Sequence, residues 1–281
     1  MKCSKKSIGV GLTVSGGILL VITFLGYWSL AGNYKDFPPR NWESFDPDLA
    51  QNSPDLDSLF RVANERAHRS LKDLEPGEAM KVLYETVIAR FTHGNRANYN
   101  LFSNWILWGL GKIHPAFSEI NDPDALLKNG HSGVCSQTSY VLLRLAQKAG
   151  IRPRHVGLYG HVVMEAWYDG DWHLYDPDLE VPSKFGEKPV LSVAALSEDE
   201  NLAAQAYAGR GDEEYVKEIA GIFASRENNT FMSYPVGSMF EWKTQVLSLF
   251  EKAAQILKFI IPALLIFLGV IFLSISDRGK A

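Results

Sequence analysis

The chain has 281 residues, 46% of them hydrophobic and 21% charged, and a formal net charge of −4. This length and composition are typical of one sizeable globular domain with additional segments. The sequence has no basic stripe or Lys/Arg-rich segment, which argues against a nucleic-acid partner. Two cysteines are too few for a disulfide framework.

The N-terminal segment, residues 1–31, begins with Lys2, Lys5 and Lys6 and then runs from Ile8 to Leu30 without a charged residue. A run of this length can span a hydrocarbon core of about 30 Å. Ser29-Leu30-Ala31 resembles a signal-peptide cleavage site, but the apolar run exceeds the usual core of about 7 to 15 residues. We therefore predict an uncleaved anchor, with a cleaved signal sequence as the alternative.

The next segments are predicted from composition and periodicity. Residues 32–58 are polar and proline-rich, which predicts a linker. Apolar residues at helical spacing predict two amphipathic helices, 59–71 and 78–91, joined by a turn at Pro76-Gly77. The apolar stretch 99–113 is too short to span a bilayer. We expect it to be a core helix under the helix that follows, with a substrate-binding aromatic wall as the alternative.

Cys135 stands at the start of a predicted helix. Apolar residues recur at three- and four-residue steps from Ser136 until Gly150, which ends the pattern. At a helix N-terminus, unpaired N–H groups and the helix dipole favour a thiolate over a thiol. Such a position is typical of a reactive cysteine, although a lone cysteine is often a small buried hydrophobic residue.

His161 and Asp176 are predicted to meet across an antiparallel meander. The strands are 155–158, 162–168 and 172–175, and Asp169-Gly170 lies in the second turn. Pairing about this turn places residues whose numbers sum to about 338 or 339 opposite each other, which brings His161 and Asp176 close together. A carboxylate beside an imidazole orients it, and a helix on the sheet could bring Cys135 to the other ring nitrogen.

These residues carry a resemblance to a known family. The chain resembles the core of the transglutaminase-like superfamily over roughly 50 residues, in three landmarks: Gly133-Val134-Cys135, His161 with Glu165-Ala166-Trp167, and Trp172 with Asp176-Pro177-Asp178. The resemblance implies an α+β, papain-like core with N-terminal helices packed on an antiparallel sheet. It also implies Cys135 as nucleophile, His161 as general base and acid, and Asp176 as its orienting carboxylate. The superfamily includes crosslinkers, peptidases, amidases and inactive members, so the reaction stays open.

The sequence departs from the family pattern after the histidine. Val162, Val163 and Met164 come between His161 and the Glu165-Ala166-Trp167 segment, so the strand is expected to present a different groove. No spacing rule selects a side chain that would stabilise an oxyanion. Trp105, Trp108 and Gln137 all stay open for that role.

A second apolar run, residues 254–276, follows the predicted domain of residues 59–250 and precedes a short tail, residues 277–281. It is long enough to cross a bilayer, and Pro262 is tolerable there. Two crossings put both termini on one side, and the N-terminal lysines favour the cytoplasm. The expected location is a bacterial inner membrane, with the central domain facing the periplasm or exterior. The reverse orientation is the alternative.

The sequence predicts a cysteine-nucleophile amide hydrolase or transamidase, acting on peptides, proteins or polymers of the cell envelope that carry an amide or ester. It predicts no cofactor and no resident metal. A zinc set of Cys135, His161, His173 and Asp176 is an alternative, but it lacks the usual ligand spacing, and His173 should point away. A catalytically inactive binding or scaffold protein in envelope or surface-polysaccharide assembly is the other alternative.

Overall fold

The computed structural model describes residues 5–28, 36–182, 190–228 and 238–278. It is a mixed α+β protein with an antiparallel sheet and two helices that could span a membrane. Within the described residues, one compact unit lies in 1–33, 98–119 and 247–281, and the other in 34–97 and 120–246.

The first unit is built on two long helices, α1 (Lys5–Trp28) and α11 (Ser238–Arg278). Their apolar stretches, Lys5–Gly26 and Phe240–Ser276, are long and hydrophobic enough to cross a bilayer. Gly9 lies beside Gly269 and Gly16 beside Pro262, so the helices run antiparallel. The structure supports membrane association, and α11 begins well before the predicted boundary at residue 254.

The segment between residues 98 and 119 contains only one short helix, α5 (Trp105–Gly111). Leu107 is its buried residue, whereas Phe102, Trp108 and Ile113 are exposed. This segment belongs to the first unit. The helix here is therefore shorter and less buried than the predicted core helix, because hydrophobicity alone does not show which surface covers an apolar side chain.

The second unit begins with helices and two very short strands. Residues 47–52 form a helix inside the predicted linker, because Asp46 caps it through the Asp48 and Leu49 N–H groups. Pro76 opens a helix rather than a turn, as proline does at a first helical position. The elements are α2 (Pro47–Asn52), α3 (Leu56–Ala67), α4 (Pro76–Arg90), β1 (Thr92–His93), α6 (Pro123–Asn129), β2 (Ser132–Gly133) and α7 (Cys135–Lys148).

A three-stranded antiparallel meander follows, as predicted. Its strands are β3 (Arg152–Gly157), β4 (Val162–Tyr168) and β5 (Asp171–Tyr175), in the order β3-β4-β5. Asp169 and Gly170 both have positive φ, 53° and 81°, which matches the tight hairpin turn that joins twisted strands. Met164 pairs with Tyr175 and Tyr168 with Asp171, so paired residue numbers sum to 339.

The sheet is covered on both faces. Val162 to Ala166 are all buried, although neighbouring residues on a strand point to opposite sides. Helix α7 packs on β3 and β4. An apolar cluster that includes Val163 and Leu174 joins the sheet to three further helices: α8 (Val193–Glu198), α9 (Glu200–Ala206) and α10 (Glu213–Ala224).

Candidate active site

Cys135 is the first residue of α7, as its sequence context predicts. The preceding Val134 is extended, and its N–H is accepted at 3.4 Å by Oε1 of Gln137, three residues later. Tyr140, Leu143 and Ala146 are buried and fix the helix against the unit's core. The thiol is half-buried and is not in a disulfide. Cys135 therefore stands in the N-terminal turn of α7, the end of a helix at which N–H groups point outward.

One hydrogen bond ties the cysteine helix to the histidine strand. Ser139, one turn after Cys135, donates its hydroxyl to the Val162 carbonyl at 3.3 Å. Val162 follows His161 directly. The bond is buried and sets the approach of the thiol to the imidazole.

His161 lies between the thiol and a carboxylate. Its Nε2 is 2.7 Å from Oδ2 of Asp176, and both side chains are buried. Nδ1 is then the ring nitrogen left for the Cys135 thiol. Burial by itself lowers the pKa of His161, but the charge and hydrogen bond of Asp176, followed by those of Cys135, raise it well above its ordinary value. The structure therefore brings Cys135, His161 and Asp176 together.

Asp176 is held by four hydrogen bonds. Oδ1 accepts from the N–H groups of Asp178 and Leu179, both at 3.2 Å, in an Asx-type turn. Oδ2 accepts from Tyr207 Oη at 2.8 Å as well as from His161. Burial raises the pKa of Asp176, yet His161, Tyr207 and the Leu179 N–H together lower it below its ordinary value. Both shifts favour a charged imidazolium–carboxylate pair.

A second carboxylate joins the same cluster. The Cys135 sulfur, a ring nitrogen of His161 and a carboxylate oxygen of Asp178 all lie within 4.8 Å of one another. Asp178 Oδ1 is 2.9 Å from Nδ1 of His93, a residue of β1. β1 pairs in parallel with β2, placing His93 opposite Gly133, two residues before the cysteine.

Sequence reasoning missed three residues of this site: His93, Asp178 and Tyr207. The sequence motif Asp176-Pro177-Asp178 indicates a role for Asp176 but none for Asp178. The Asx-type turn, which Pro177 favours, is the signal that can place Asp178. His93 and Tyr207 carry no local signal, because tertiary packing alone brings them to the cluster.

The side chains left open for oxyanion stabilisation have other partners. The Gln137 side-chain amide donates to the Ile120 carbonyl at 2.9 Å and to the Ala97 carbonyl at 3.3 Å. Trp105 donates its indole N–H to the Lys258 carbonyl at 3.4 Å. The Lys112 ammonium lies 5.1 Å from the centroid of the Trp108 ring. The backbone N–H groups at the start of α7 are then the donors closest in sequence to the thiol.

The cluster also has the ligand types that zinc accepts, namely sulfur, imidazole and carboxylate. The zinc alternative drawn from sequence included His173 and Asp176. The structure instead stacks the His173 ring on Tyr168 and places its Nε2 3.1 Å from the Tyr168 carbonyl oxygen. The grouping found among the described residues is Cys135, His161 and Asp178.

Comparison with known proteins identifies no relative. No protein-family model matches the chain, and neither a curated protein nor a solved structure matches it. The class of site is therefore defined by its own geometry: a cysteine at a helix start, a buried histidine and two buried aspartates.

Proposed function

We propose that the protein is a membrane-anchored thiol acyl-transfer enzyme of transglutaminase-like type. The observation that carries this proposal is the position of His161, which bonds to Asp176 at 2.7 Å and faces the Cys135 thiol at the start of α7. A thiol is activated by a base beside it and by a carboxylate that orients the base. Cys135, His161 and Asp176 are arranged in that way. The resemblance in sequence around the same three residues supports the same class.

The reacting state has the proton of the Cys135 thiol on His161 Nδ1, in the imidazolium form that Asp176 stabilises. The sulfur then attacks the carbonyl carbon of an amide or ester, and N–H groups of the first turn of α7 stabilise the oxyanion. When the carbonyl reforms, the bond to the leaving amine or alcohol breaks, and His161 returns the proton to that group. The product is a thioester on Cys135.

A second nucleophile resolves the thioester. Water or an amine gives a proton to His161 and attacks the thioester carbonyl, and His161 then protonates the departing Cys135 sulfur. Water makes the protein a peptidase or amidase, whereas an amine makes it a transamidase. Asp176 holds the ring in one tautomer and stabilises the imidazolium in both halves of the cycle.

The membrane helices favour a substrate of the cell envelope. The antiparallel contacts of α1 with α11 support two crossings, which put both termini on one side of the bilayer. Lys2, Lys5 and Lys6 favour the cytoplasm for that side. We place the protein in a bacterial inner membrane with the second unit facing the periplasm, acting on peptides, proteins or modified polymers there.

One feature favours a non-catalytic scaffold as the second candidate. The carboxylate of Asp178 lies within 4.8 Å of the Cys135 sulfur, so an anionic group stands beside the proposed nucleophile. A binding protein could keep this cluster without turnover. Reactivity of Cys135 separates the two candidates.

The test is alkylation of Cys135 by iodoacetamide in the full chain, in neutral detergent, read by mass spectrometry of the Cys135 peptide. We expect the alkylation rate at pH 6.5 to fall at least tenfold in His161→Ala and to be unchanged in His68→Asn. His68 is exposed and left-handed in backbone (φ 54°), a conformation that asparagine tolerates. A thiol that is unreactive, or indifferent to His161, would favour the scaffold.

A further inference from the structure

Asp178 is a buried carboxylate that the proposed mechanism does not use. Its side chain is 4% exposed, and its Oδ1 is hydrogen-bonded to His93 Nδ1 at 2.9 Å. An oxygen of this carboxylate lies within 4.8 Å of both the Cys135 sulfur and a His161 nitrogen. It therefore faces the same space that a reacting carbonyl would enter.

The two aspartates of the cluster differ in the hydrogen-bond partners of their carboxylates. Asp176 accepts four hydrogen bonds, and its charge is balanced by His161. Among the described residues, the side-chain hydrogen bond of Asp178 is the one to His93. A carboxylate beside a thiolate adds repulsion, part of which the His161 imidazolium offsets. A cation placed between Asp178 and the sulfur would lower that repulsion further.

We propose that Asp178, oriented by His93, is a subsite for a protonated primary amine of the substrate. This inference rests on the proposed thiol chemistry and adds a substrate class to it: amides that carry, or receive, a charged amine next to the reacting carbonyl.

The distances suit such a ligand. In an acyl group bound to Cys135, the α-nitrogen lies roughly 3 to 4 Å from the sulfur, given standard bond lengths. A charge-assisted hydrogen bond from that ammonium to a carboxylate spans about 2.7 to 2.9 Å. A carboxylate oxygen within 4.8 Å of the sulfur can therefore accept a hydrogen bond from that ammonium group.

The position of His93 is itself fixed by two contacts. The backbone N–H of His93 donates to Glu43 Oε1 at 2.9 Å, and its strand pairs with the residues that lead into α7. The side chain is 24% exposed. His93 is therefore a partly exposed side chain, held by its backbone, that orients the carboxylate of Asp178.

The test compares three small thiol reagents of different charge on the full chain in neutral detergent, with Cys3 changed to serine. They are the aminoethyl (cationic), sulfonatoethyl (anionic) and methyl (neutral) methanethiosulfonates. In the wild type we expect the cationic reagent to modify Cys135 at least tenfold faster than the anionic one. Asp178→Asn should reduce that ratio at least fivefold.

Two further variants complete the design. His93→Gln should reduce the same ratio about two- to threefold, which tests the subsite even if Asp178→Asn folds poorly. Asp57→Asn is the control and should leave the ratio unchanged. Asp57 is bonded to Lys148 at the far end of α7, about 20 Å along the helix from Cys135.

The outcomes separate the two proposals. A thiol that fails to react even with the neutral reagent overturns the proposed function and the amine subsite with it. A reactive thiol whose charge ratio is the same in the wild type, Asp178→Asn and His93→Gln overturns the subsite alone.

A second pair of reagents identifies which amine binds. Alanine chloromethyl ketone and its N-acetyl derivative differ in a free amine on the acyl side. A preference for the free amine that Asp178→Asn abolishes assigns the subsite to the α-amine of the acyl donor. Equal rates for the two ketones, combined with a cationic-to-anionic rate ratio that depends on Asp178, assign the subsite to the amine that leaves or attacks.

Discussion

His161 and Asp176 are diagonal neighbours at the open end of the β4–β5 ladder. The last paired residues are Met164 and Tyr175, and the same register extended would place Val163 opposite Asp176 and His161 opposite Asp178. Diagonal positions share a face of the sheet and are within reach of long side chains. The 2.7 Å bond therefore joins a histidine just before one strand to an aspartate just after the next.

The first prediction concerns stability at alkaline pH. Burial opposes the shift, but Asp176 raises the pKa of His161 in the folded protein. The stabilisation that comes from this shift is fully present below about pH 6.5, the pKa of histidine in the unfolded chain. It is lost as the pH rises through the pKa of His161 in the folded protein. We expect the wild type to lose up to about 1.4 kcal/mol per pH unit in that window. Unfolding in detergent at several pH values should show a shallower slope for His161→Gln, and equal slopes would contradict the prediction.

The second prediction concerns Tyr207, whose hydroxyl donates to Asp176 at 2.8 Å. Tyr207→Phe should cost about 1.5 to 3 kcal/mol, because the lost bond is to a buried charge. It should also raise the folded pKa of Asp176, so that stability on the acid side is lost at higher pH.

The control for Tyr207 is Tyr84→Phe. Tyr84 donates to the carbonyl oxygens of Asp176 and Val181 rather than to a carboxylate. This variant should lose stability without moving the acid limb of the pH profile. Denaturant unfolding from pH 3 to 6 measures both quantities, and identical acid limbs in all three proteins would refute the assignment.

The third prediction concerns the ion pair between the buried Glu165 and the half-buried Arg154. Glu165 is fully buried, accepts from Arg154 Nε at 2.6 Å and receives the Val193 N–H at 2.9 Å. Burial raises the pKa of Glu165, and Arg154 opposes the rise. Arg154→Leu should cost about 3 to 5 kcal/mol, because it leaves a buried charge without its partner.

Glu165→Gln in the Arg154→Leu background tests this explanation. The double variant should be more stable than Arg154→Leu alone, since the unpaired charge is gone. Urea unfolding followed by tryptophan fluorescence gives the three free energies. A double variant less stable than Arg154→Leu would show that the cost has another origin.

The fourth prediction uses two adjacent glycines of α1. A Cβ on Gly16 would lie 2.7 Å from the Pro262 carbonyl oxygen and 2.8 Å from Ile266 Cγ1, whereas a Cβ on Gly17 meets nothing within 4 Å. Small residues let membrane helices approach closely. Gly16→Ile should therefore separate α1 from α11, and Gly17→Ile should not.

Disulfide crosslinking measures this separation. The rings of Phe24 and Phe259 lie 6.0 Å apart, so cysteines at these positions, in a chain without Cys3 and Cys135, should crosslink in the parent and in Gly17→Ile. Gly16→Ile should lose most of the crosslinked product. Equal yields in the two variants would contradict the helix contact.

Local chemistry made part of this fold predictable. The Asp169-Gly170 turn fixes the register of two strands, and the apolar pattern after Ser136 places a helix start at Cys135. These signals lie within a few residues of the features that they predict. His161 and Asp176 could be brought together on that basis because a single tight turn connects their strands.

The rest depends on contacts distant in sequence. His93 reaches the cluster through a two-residue parallel pairing with β2, 40 residues further along the chain, and Tyr207 reaches it from the C-cap position of α9. Neither contact leaves a periodic pattern. The stretch around Trp108 shows the converse limit, since its apolar residues have the composition of a core helix but Phe102, Trp108 and Ile113 are exposed.

Residues 98–119 are an excursion of the chain that belongs to the first unit, whereas Ala97 before it and Ile120 after it belong to the second. The side chain of Gln137 bonds to both of these flanking residues. The Ile120 N–H donates to the Ala97 carbonyl at 3.0 Å, and the Gln137 amide donates to the carbonyl oxygens of both residues. Because the ends of the excursion are closed on each other, changes in its length cost little additional loop entropy. A change in the length of this excursion should therefore leave the closure of Ala97 on Ile120 in place, and with it the position of Cys135, two residues before Gln137.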